Sequence, residues 1–323
     1  MTSFHVLVPD NVDKKATDLL AAASDIYVNA PGNLRREETI AAIELADAMV
    51  IRSSTKADAD LLSKAPNLKV IARAGVGVDN VDLDYATQKG IVVMNTPGGN
   101  TIATAEHTFG LMLAISRHIG PAYTSMCEGR WDRKAYKGVE LRGKTLGIVG
   151  FGRIGRAIAQ RAQAFEMSVI AADPFVDADT MQHANVEKVD LTDLYHRADY
   201  ITLHSIITDE TREMINADAF ERMKDGVYII NAARGALIND ADLHAALESG
   251  RVAGAALDVY HVEPPPADHP LVGHPRVLHT PHLAASTKEA QVAVAVEAAE
   301  LVIDALKNGK YHNVVNPAVL QTS

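Results

Sequence analysis

The chain has 323 residues, which predicts two domains of ordinary size, and 47% of its residues are hydrophobic against 22% charged. The 31 lysines and arginines against 41 aspartates and glutamates give a net charge of −10, which argues against a nucleic-acid-binding surface. The lone Cys127 excludes an internal disulfide and a thiolate metal cluster. We expect a cytoplasmic protein, because the first residues lack the layout of a signal peptide and no apolar run is long enough to cross a membrane.

Short Val- and Ile-rich runs alternate with helical stretches along the first hundred residues. Continuous apolar runs of this kind are typical of buried parallel strands. They predict strands at 4–8, 48–51, 69–72 and 91–94. The helices predicted between them cover 12–23, 36–46, 59–64 and 82–89.

A breaker cluster at 96–100 separates this layer from a second series of strands and helices. One long helix is predicted over 101–128, before the series begins. The predicted strands are 145–149, 168–172, 200–203, 227–231, 253–258 and 276–279, with helices at 154–164, 191–198, 217–222, 240–249 and a final one at 288–308. This alternation predicts an α/β fold with two doubly wound parallel-sheet domains, the second of Rossmann type.

A glycine motif of the G-x-G-x-x-G type follows the predicted strand 145–149 and comprises Gly150, Gly152 and Gly155. The first glycine allows a tight turn, the second lets the backbone approach a pyrophosphate, and the third lets helix and strand pack closely. The N–H groups of Arg153 and Ile154 then face the phosphates from the helix N-terminus.

Asp173 ends the next predicted strand, where a carboxylate accepts hydrogen bonds from the adenosine ribose hydroxyls and repels a 2′-phosphate. No arginine follows in Pro174, Phe175 and Val176, so the sequence predicts NAD rather than NADP as cofactor. An ordinary Asp-Pro turn would leave Asp173 without this role.

Three polar residues follow later strands, at the sheet edge where open α/β sheets bind ligands. Arg234 has the planar fork that binds both oxygens of a substrate carboxylate, although a single arginine more often makes a surface ion pair. His282 can act as the acid and base in hydride transfer from a secondary alcohol. Glu263, stiffened by three following prolines, would orient the imidazole and raise its pKa.

Four histidines crowd together near the end of the second series, at positions 269, 274, 279 and 282. No carboxylate or second cysteine lies among them in the sequence, whereas zinc needs three or four convergent ligands. We therefore expect no metal site.

Long segments of the chain resemble the D-2-hydroxyacid dehydrogenase family. These segments are residues 73–82, the glycine motif, and residues 231–235, 254–265 and 281–290. The last one is especially close to family members that oxidise 3-phospho-D-glycerate in the first step of serine biosynthesis. The resemblance implies an Arg–Glu–His catalytic set at Arg234, Glu263 and His282. It also implies a flavodoxin-like substrate domain (1–97 plus 290–323) that is interrupted by the NAD-binding domain (98–289).

The resemblance also implies roles for residues that the motifs alone do not identify. Around the nicotinamide it places Ser205, Ala232, Asp258, Ala284 and Ala285, with Asp258 on the carboxamide. Around the substrate it places Arg52, Ser53, Gly75, Val76 and Gly77, with Arg133 lent to the phosphate by a neighbouring subunit. Members are usually homodimers or homotetramers that use the long helix before the glycine motif in their interface. We expect this chain to lack the serine-sensing C-terminal domain of long members.

The resemblance leaves two alternatives open. Val76 stands where many phosphoglycerate-oxidising members carry threonine. Because of this difference, a glyoxylate/hydroxypyruvate or D-lactate-type reductase is an alternative function. Ile206 replaces a common proline, and we expect a mild effect. A non-catalytic NAD-sensing protein of the same fold would keep the Arg–Glu–His set, but this chain has none of the basic or disordered appendages that such a protein would use for partners.

Overall fold

The computed structural model describes residues 3–321. Two compact units divide the chain, one reaching to Asn100 and resuming at Thr287, the other covering Thr101–Ser286. These junctions lie a few residues from the predicted boundaries at 97/98 and 289/290. Residues 1–2 and 322–323, which belong to the predicted first domain, lie outside the described residues. Residues 1–2 are also the start of the N-terminal stretch that we expect not to be a signal peptide.

The first unit is built on five parallel strands in the order β2-β1-β3-β4-β5. The strands are β1 (Phe4–Leu7), β2 (Ile26–Asn29), β3 (Ala48–Ile51), β4 (Val70–Arg73) and β5 (Val92–Asn95). The helices that follow the first four strands are α1 (Lys14–Ala22), α2 (Arg36–Ile43), α3 (Ala59–Ser63) and α4 (Leu83–Gln88). Aspartates cap three of these helices, as when Asp58 accepts a hydrogen bond from Leu61 N at 3.1 Å.

Strand β2 is absent from the prediction and lies at the edge of this sheet. None of its residues is fully buried, and half-buried positions alternate with exposed ones. The continuous apolar pattern that revealed β3, whose four residues are all buried, therefore does not occur here.

The second unit holds seven parallel strands in the order β12-β11-β10-β9-β6-β7-β8. The strands are β6 (Thr145–Val149), β7 (Ser168–Ala172), β8 (Glu187–Lys188), β9 (Tyr200–Leu203), β10 (Val227–Asn231), β11 (Val252–Leu257) and β12 (Val277–His279). The helices are α5 (Thr101–Ser116), α6 (Ile119–Cys127), α7 (Arg153–Ala164), α8 (Ala178–His183), α9 (Leu191–Arg197), α10 (Ala217–Arg222) and α11 (Asp240–Ser249). The two-residue edge strand β8 and the helix α8 before it were not predicted.

The prediction of one helix over 101–128 is wrong, because the chain breaks between α5 and α6. His118 takes a left-handed conformation, with φ of 52° and ψ of 37°, and precedes α6. Pro121 explains the break, since a proline has no N–H for the carbonyl four residues earlier and its ring clashes with that carbonyl. In the first turn of a new helix the same proline is tolerated.

Helix α12 (Lys288–Asn308) returns to the first unit, where it packs against α1, β3 and β4. Its buried residues are mainly alanine and valine, among them Ala295, Ala298 and Val302. Apolar clusters cover both faces of each sheet, as doubly wound folds require. Within residues 3–321, no helix combines the length and the apolar composition that a membrane crossing needs.

Each sheet has one position where the strand order reverses, and open α/β sheets bind ligands there. In the first sheet this position falls between β1 and β3, and in the second between β6 and β9. The loops that follow those strands are therefore the candidates for ligand binding.

Candidate active site

The glycine motif follows β6 at the reversal point of the seven-stranded sheet. Gly150 has φ of 93°, and a Cβ there would lie 2.7 Å from the carbonyl carbon of His204. A Cβ on Gly155 would lie 2.4 Å from the carbonyl oxygen of Gly150. Side chains are therefore excluded at both positions, and the loop is a tight turn that packs directly on the start of α7.

Gly152 differs from the other two glycines of the motif, because a Cβ built on it would meet no atom within 4 Å. This residue precedes α7, and among the described residues no side chain caps the first turn of that helix. Uncapped N–H groups and the positive end of the helix dipole favour an anion at this helix N-terminus. The loop therefore fits the pyrophosphate of a dinucleotide.

Asp173 follows β7, the strand next to β6. Its carboxylate accepts hydrogen bonds from Phe151 N and Phe175 N, both at 2.8 Å. The first bond ties Asp173 to the glycine loop, a function that the sequence did not predict. Each oxygen keeps a second lone pair, so the carboxylate can still accept a ribose hydroxyl.

Four other residues predicted near the cofactor lie at the carboxyl ends of later strands. Ser205 follows β9, and its hydroxyl donates to Val149 O at 3.3 Å. Ala232 follows β10 and is buried. Ala284 is buried in the loop after β12, and Ala285 beside it is half-buried.

His282 and Glu263 meet across two loops, with His282 Nδ1 at 2.6 Å from Glu263 Oε2. A carboxylate only accepts, so Nδ1 carries the proton and Nε2 is left as the base. The second carboxylate oxygen accepts a hydrogen bond from Tyr260 N at 3.1 Å. Both side chains remain partly exposed, at 49% and 38%, and they adjoin a cavity of about 410 Å³.

The contact between them shifts both pKa values in the directions that suit an acid–base histidine. The hydrogen bond to Glu263 raises the pKa of His282 above its ordinary value, against the opposing effect of burial. Burial acts to raise the pKa of Glu263, but the bond to His282 and the Tyr260 amide outweigh it and lower that pKa. The pair therefore favours imidazolium beside carboxylate.

Arg234 is delivered by the loop after β10. Asn231 shapes this loop by donating to Arg234 O at 2.9 Å and accepting from Ala233 N at 3.0 Å. A Cβ on Gly235 would lie 2.0 Å from the carbonyl carbon of Tyr260, so this loop packs directly against the loop that carries Glu263. The charge of Arg234 also acts on His282, whose pKa it lowers slightly against the larger effect of Glu263.

Asp258 follows β11 and is fully buried. Its carboxylate accepts from Thr280 Oγ1 at 2.6 Å, Leu283 N at 2.7 Å and Ala284 N at 2.9 Å, and His107 Nε2 lies 3.2 Å away. Burial acts to raise the pKa of Asp258, and these hydrogen bonds lower it below the ordinary value. Asp258 therefore holds the loop that carries His282, a function that the sequence did not predict.

The residues predicted to bind substrate are divided between the two units. Arg52 and Ser53 follow β3, and Gly75, Val76 and Gly77 follow β4, both in the first unit. Thr96 Oγ1 accepts from Gly75 N at 2.7 Å, and Asn95 Nδ2 donates to Val76 O at 2.6 Å. Arg133 belongs to the second unit and is exposed.

One group of side chains in the described residues comes close to a metal-binding arrangement. His244 and Glu248 on α11 and His274 bring ligand atoms within 4.8 Å of one another. However, His274 Nδ1 accepts from Arg276 N at 3.1 Å, which puts the ring proton on Nε2, 3.0 Å from Glu248 Oε1. This tautomer fits a hydrogen bond between loop and helix rather than a metal ligand. The expected lack of a metal stays a prediction.

Comparisons with known proteins show the family of this chain. The family model described as D-isomer specific 2-hydroxyacid dehydrogenase, NAD binding domain, matches residues 109–284. The chain is 46% identical to D-3-phosphoglycerate dehydrogenase of Archaeoglobus fulgidus over 98% of its own length and 60% of that protein. It is 45% identical to hydroxypyruvate reductase of Thermotoga maritima over 95% of this chain and 99% of that one.

Among solved structures, a glyoxylate reductase from Paecilomyes thermophila superposes with a TM-score of 0.87 at 30% identity, covering 98% of this chain and 99% of that chain. The chain spans about three fifths of the length of the curated phosphoglycerate dehydrogenases that it matches. The family match, the glycine loop and the fold lead to one conclusion. The chain belongs to the D-isomer specific 2-hydroxyacid dehydrogenase family, and its second unit carries the family's NAD-binding domain.

Proposed function

We propose that this chain oxidises a D-2-hydroxyacid with NAD, and that the substrate is 3-phospho-D-glycerate, which becomes 3-phosphohydroxypyruvate. The observation that carries the proposal is the contact of 2.6 Å between His282 Nδ1 and Glu263 Oε2, which leaves Nε2 as a base. Membership of the family supports the reaction class, and the similarity to phosphoglycerate dehydrogenases supports the substrate.

The glycine loop and Asp173 would hold NAD, whose nicotinamide ring would supply the acceptor for the hydride that leaves C2 of the substrate. Arg234 binds the substrate carboxylate through two parallel N–H bonds, which fixes the position of C2. His282 Nε2 takes the proton of the C2 hydroxyl as the carbonyl forms. Glu263 stabilises the resulting imidazolium, and in the reverse direction His282 returns this proton to the carbonyl oxygen.

Substrate recognition is assigned to Arg52 and Ser53 at the phosphate and to the Gly75–Gly77 loop. Arg52 supports this role because it lies at the reversal point of the first sheet, where ligands of open α/β sheets bind. Among the described residues, its guanidinium has one hydrogen-bond partner, Asn11 O at 3.3 Å, which leaves other N–H groups for an anion.

We also propose that the protein is a homodimer or homotetramer in which Arg133 reaches the phosphate of a neighbouring subunit. Helix α6 supports this assembly, because Ile119, Tyr123 and Met126 form one face at helical spacing and are 54%, 71% and 54% exposed. Nearby Trp131 is 78% exposed. An apolar surface of this kind favours burial against another chain.

A second candidate is the reduction of hydroxypyruvate or glyoxylate without a phosphate. The hydroxypyruvate reductase of Thermotoga maritima supports it, since the chain covers 99% of that protein. Val76 also supports it, because valine offers no hydroxyl to a polar substrate.

Incubation of the purified protein with NAD and a panel of D- and L-hydroxyacids tests both candidates through the absorbance of reduced nicotinamide. The proposal expects turnover well above about one per second with 3-phospho-D-glycerate and none with its L isomer. Faster turnover of unphosphorylated acids would favour the second candidate. Binding of NAD without turnover of any acid would indicate a dinucleotide sensor instead.

A further inference from the structure

Asp10 is a buried carboxylate at the reversal point of the five-stranded sheet. It follows β1 and is 2% exposed, and the loop after β3 lies on the other side of the same reversal point. An aspartate is rarely buried to this degree unless its oxygens are fully used by hydrogen-bond donors.

The donors to Asp10 all come from the turn formed by residues 52–55. Its Oδ2 accepts from Arg52 N and, at 3.3 Å, from Thr55 N. Its Oδ1 accepts from the Thr55 hydroxyl at 2.6 Å. The first and last residues of the turn are therefore held by a single carboxylate.

Asn80 holds the carbonyl groups of the same two residues. Its Nδ2 donates to Arg52 O at 2.7 Å and to Thr55 O at 2.6 Å. Asp10 and Asn80, which we call the clip, thus engage both the N–H and the C=O of Arg52 and of Thr55. Thr55 is buried, whereas Ser53 and Ser54 at the tip are exposed.

We propose that Asp10 is a positioning residue that selects phosphorylated over unphosphorylated D-2-hydroxyacids. This inference rests on the proposed function, in which Arg52 and Ser53 meet the substrate phosphate. Asp10 acts through the turn, because its oxygens are occupied by Arg52 and Thr55 and its negative charge would repel a phosphate. An anion site of this kind requires donors fixed to within a fraction of an ångström, and the clip provides that rigidity.

The test compares kcat/KM for 3-phosphohydroxypyruvate with kcat/KM for hydroxypyruvate, each reduced with NADH. Asp10→Ala removes the acceptor for two backbone amides, and we expect the preference for the phosphorylated acid to fall by about tenfold, chiefly through KM. Asp10→Asn can still accept from both amides through its carbonyl oxygen and donate to Thr55, so it should restore most of the preference.

Asp47→Ala is the matched control. Asp47 also accepts from a backbone amide, His5 N at 3.0 Å. It precedes β3, however, and so lies at the amino ends of the strands, whereas Asp10 lies at their carboxyl ends. Both alanine variants should lower the melting temperature, whereas only Asp10→Ala should change the preference. Hydrogen exchange should accelerate in residues 52–55 in Asp10→Ala and not in Asp47→Ala.

The outcomes separate the two levels of the argument. A folded Asp10→Ala protein that keeps the wild-type preference would overturn the role of the clip while leaving the proposed substrate intact. A wild-type protein with no preference would overturn the proposed substrate, and with it the selection that we assign to Asp10.

Should Asp10→Ala fail to fold, Thr55→Val gives the same test in milder form. It removes only the hydroxyl bond to Asp10 Oδ1 and keeps the shape of the side chain. We expect the preference to fall about two- to threefold. No change in preference would again overturn the role of the clip.

Discussion

His282 and Glu263 are 19 residues apart in the sequence, yet their side chains lie 2.6 Å apart. The loops that carry them follow different strands, and each loop has its own anchor. Asp258 holds the His282 loop through Leu283 N and Ala284 N, and Tyr260 N holds the Glu263 carboxylate. The position of the pair is thus set by backbone hydrogen bonds as well as by the contact itself.

Glu263→Gln should shift the pH profile of the oxidation reaction and also that of the reduction reaction. Oxidation needs the neutral imidazole, so its rate is lost as the pH falls through the raised pKa of His282. Removing the carboxylate lowers that pKa, and the acid limb of kcat/KM should move to lower pH. Reduction needs the imidazolium, so its alkaline limb should also move to lower pH. Unchanged limbs in both profiles would contradict the pairing.

Arg234→Lys should weaken the binding of substrate more than the binding of NAD. Lysine keeps the charge but lacks the planar fork that holds both carboxylate oxygens, so KM for the acid should rise by roughly tenfold or more. Steady-state kinetics with NADH titrated separately measures this. Arg251→Lys, at a surface ion pair with Asp225, serves as the control. An equal loss of NADH affinity in Arg234→Lys would argue against a carboxylate-binding role.

Serine substitutions at two glycines should separate cofactor binding from folding. A side chain at Gly155 would overlap the Gly150 carbonyl, so Gly155→Ser should lower the free energy of unfolding by about 1–3 kcal/mol. A side chain at Gly152 meets open space, and serine is a favourable residue before a helix. The free energy of unfolding of the Gly152→Ser apoprotein should therefore stay within about 0.5 kcal/mol of the wild-type value. Gly152→Ser should nevertheless weaken NAD binding. Denaturant unfolding measures the stability of both variants, and titration with NADH measures their cofactor binding. Unimpaired NADH binding in Gly152→Ser would contradict the assignment of this loop to the cofactor site.

Asp173→Ser should reduce the preference for NAD over NADP. The substitution removes the negative charge that repels a 2′-phosphate, and it also removes the bond to Phe151 N, so affinity for both cofactors should fall, with NAD losing more. The ratio of kcat/KM for the two cofactors reports the preference. A ratio equal to that of the wild type would show that Asp173 serves the glycine loop alone.

The sequence was most informative where a pattern is local. Buried strands such as β3 and β6 are continuous apolar runs, and the glycine motif has a fixed spacing, so both could be predicted. Edge strand β2 could not, because its half-exposed residues do not form such a run. The break at His118 was not predicted, because the composition of residues 101–128 is strongly helical. The effect of Pro121 on the preceding turn was the signal for this break.

The supporting contacts around the site could not be predicted, because they join residues far apart in sequence. His107 lies on α5, 151 positions before Asp258, and Asp10 is 45 positions from Thr55. Neither contact leaves a local pattern. The carboxylates that pair with His269 and His274, Asp240 and Glu248, likewise come from a helix that precedes them.

The most direct test of the account is the single-turnover rate of NADH formation in His282→Ala. In this experiment the enzyme is in excess over 3-phospho-D-glycerate, and NAD is saturating. The matched control is His312→Ala, since His312 also bonds to a carboxylate, Asp304 at 3.1 Å, and is similarly exposed at 55%. We predict a rate that falls by about 10²–10⁴-fold in His282→Ala, with NAD binding kept and the control unaffected. A rate equal to that of the wild type would contradict the assignment of His282 as the proton acceptor.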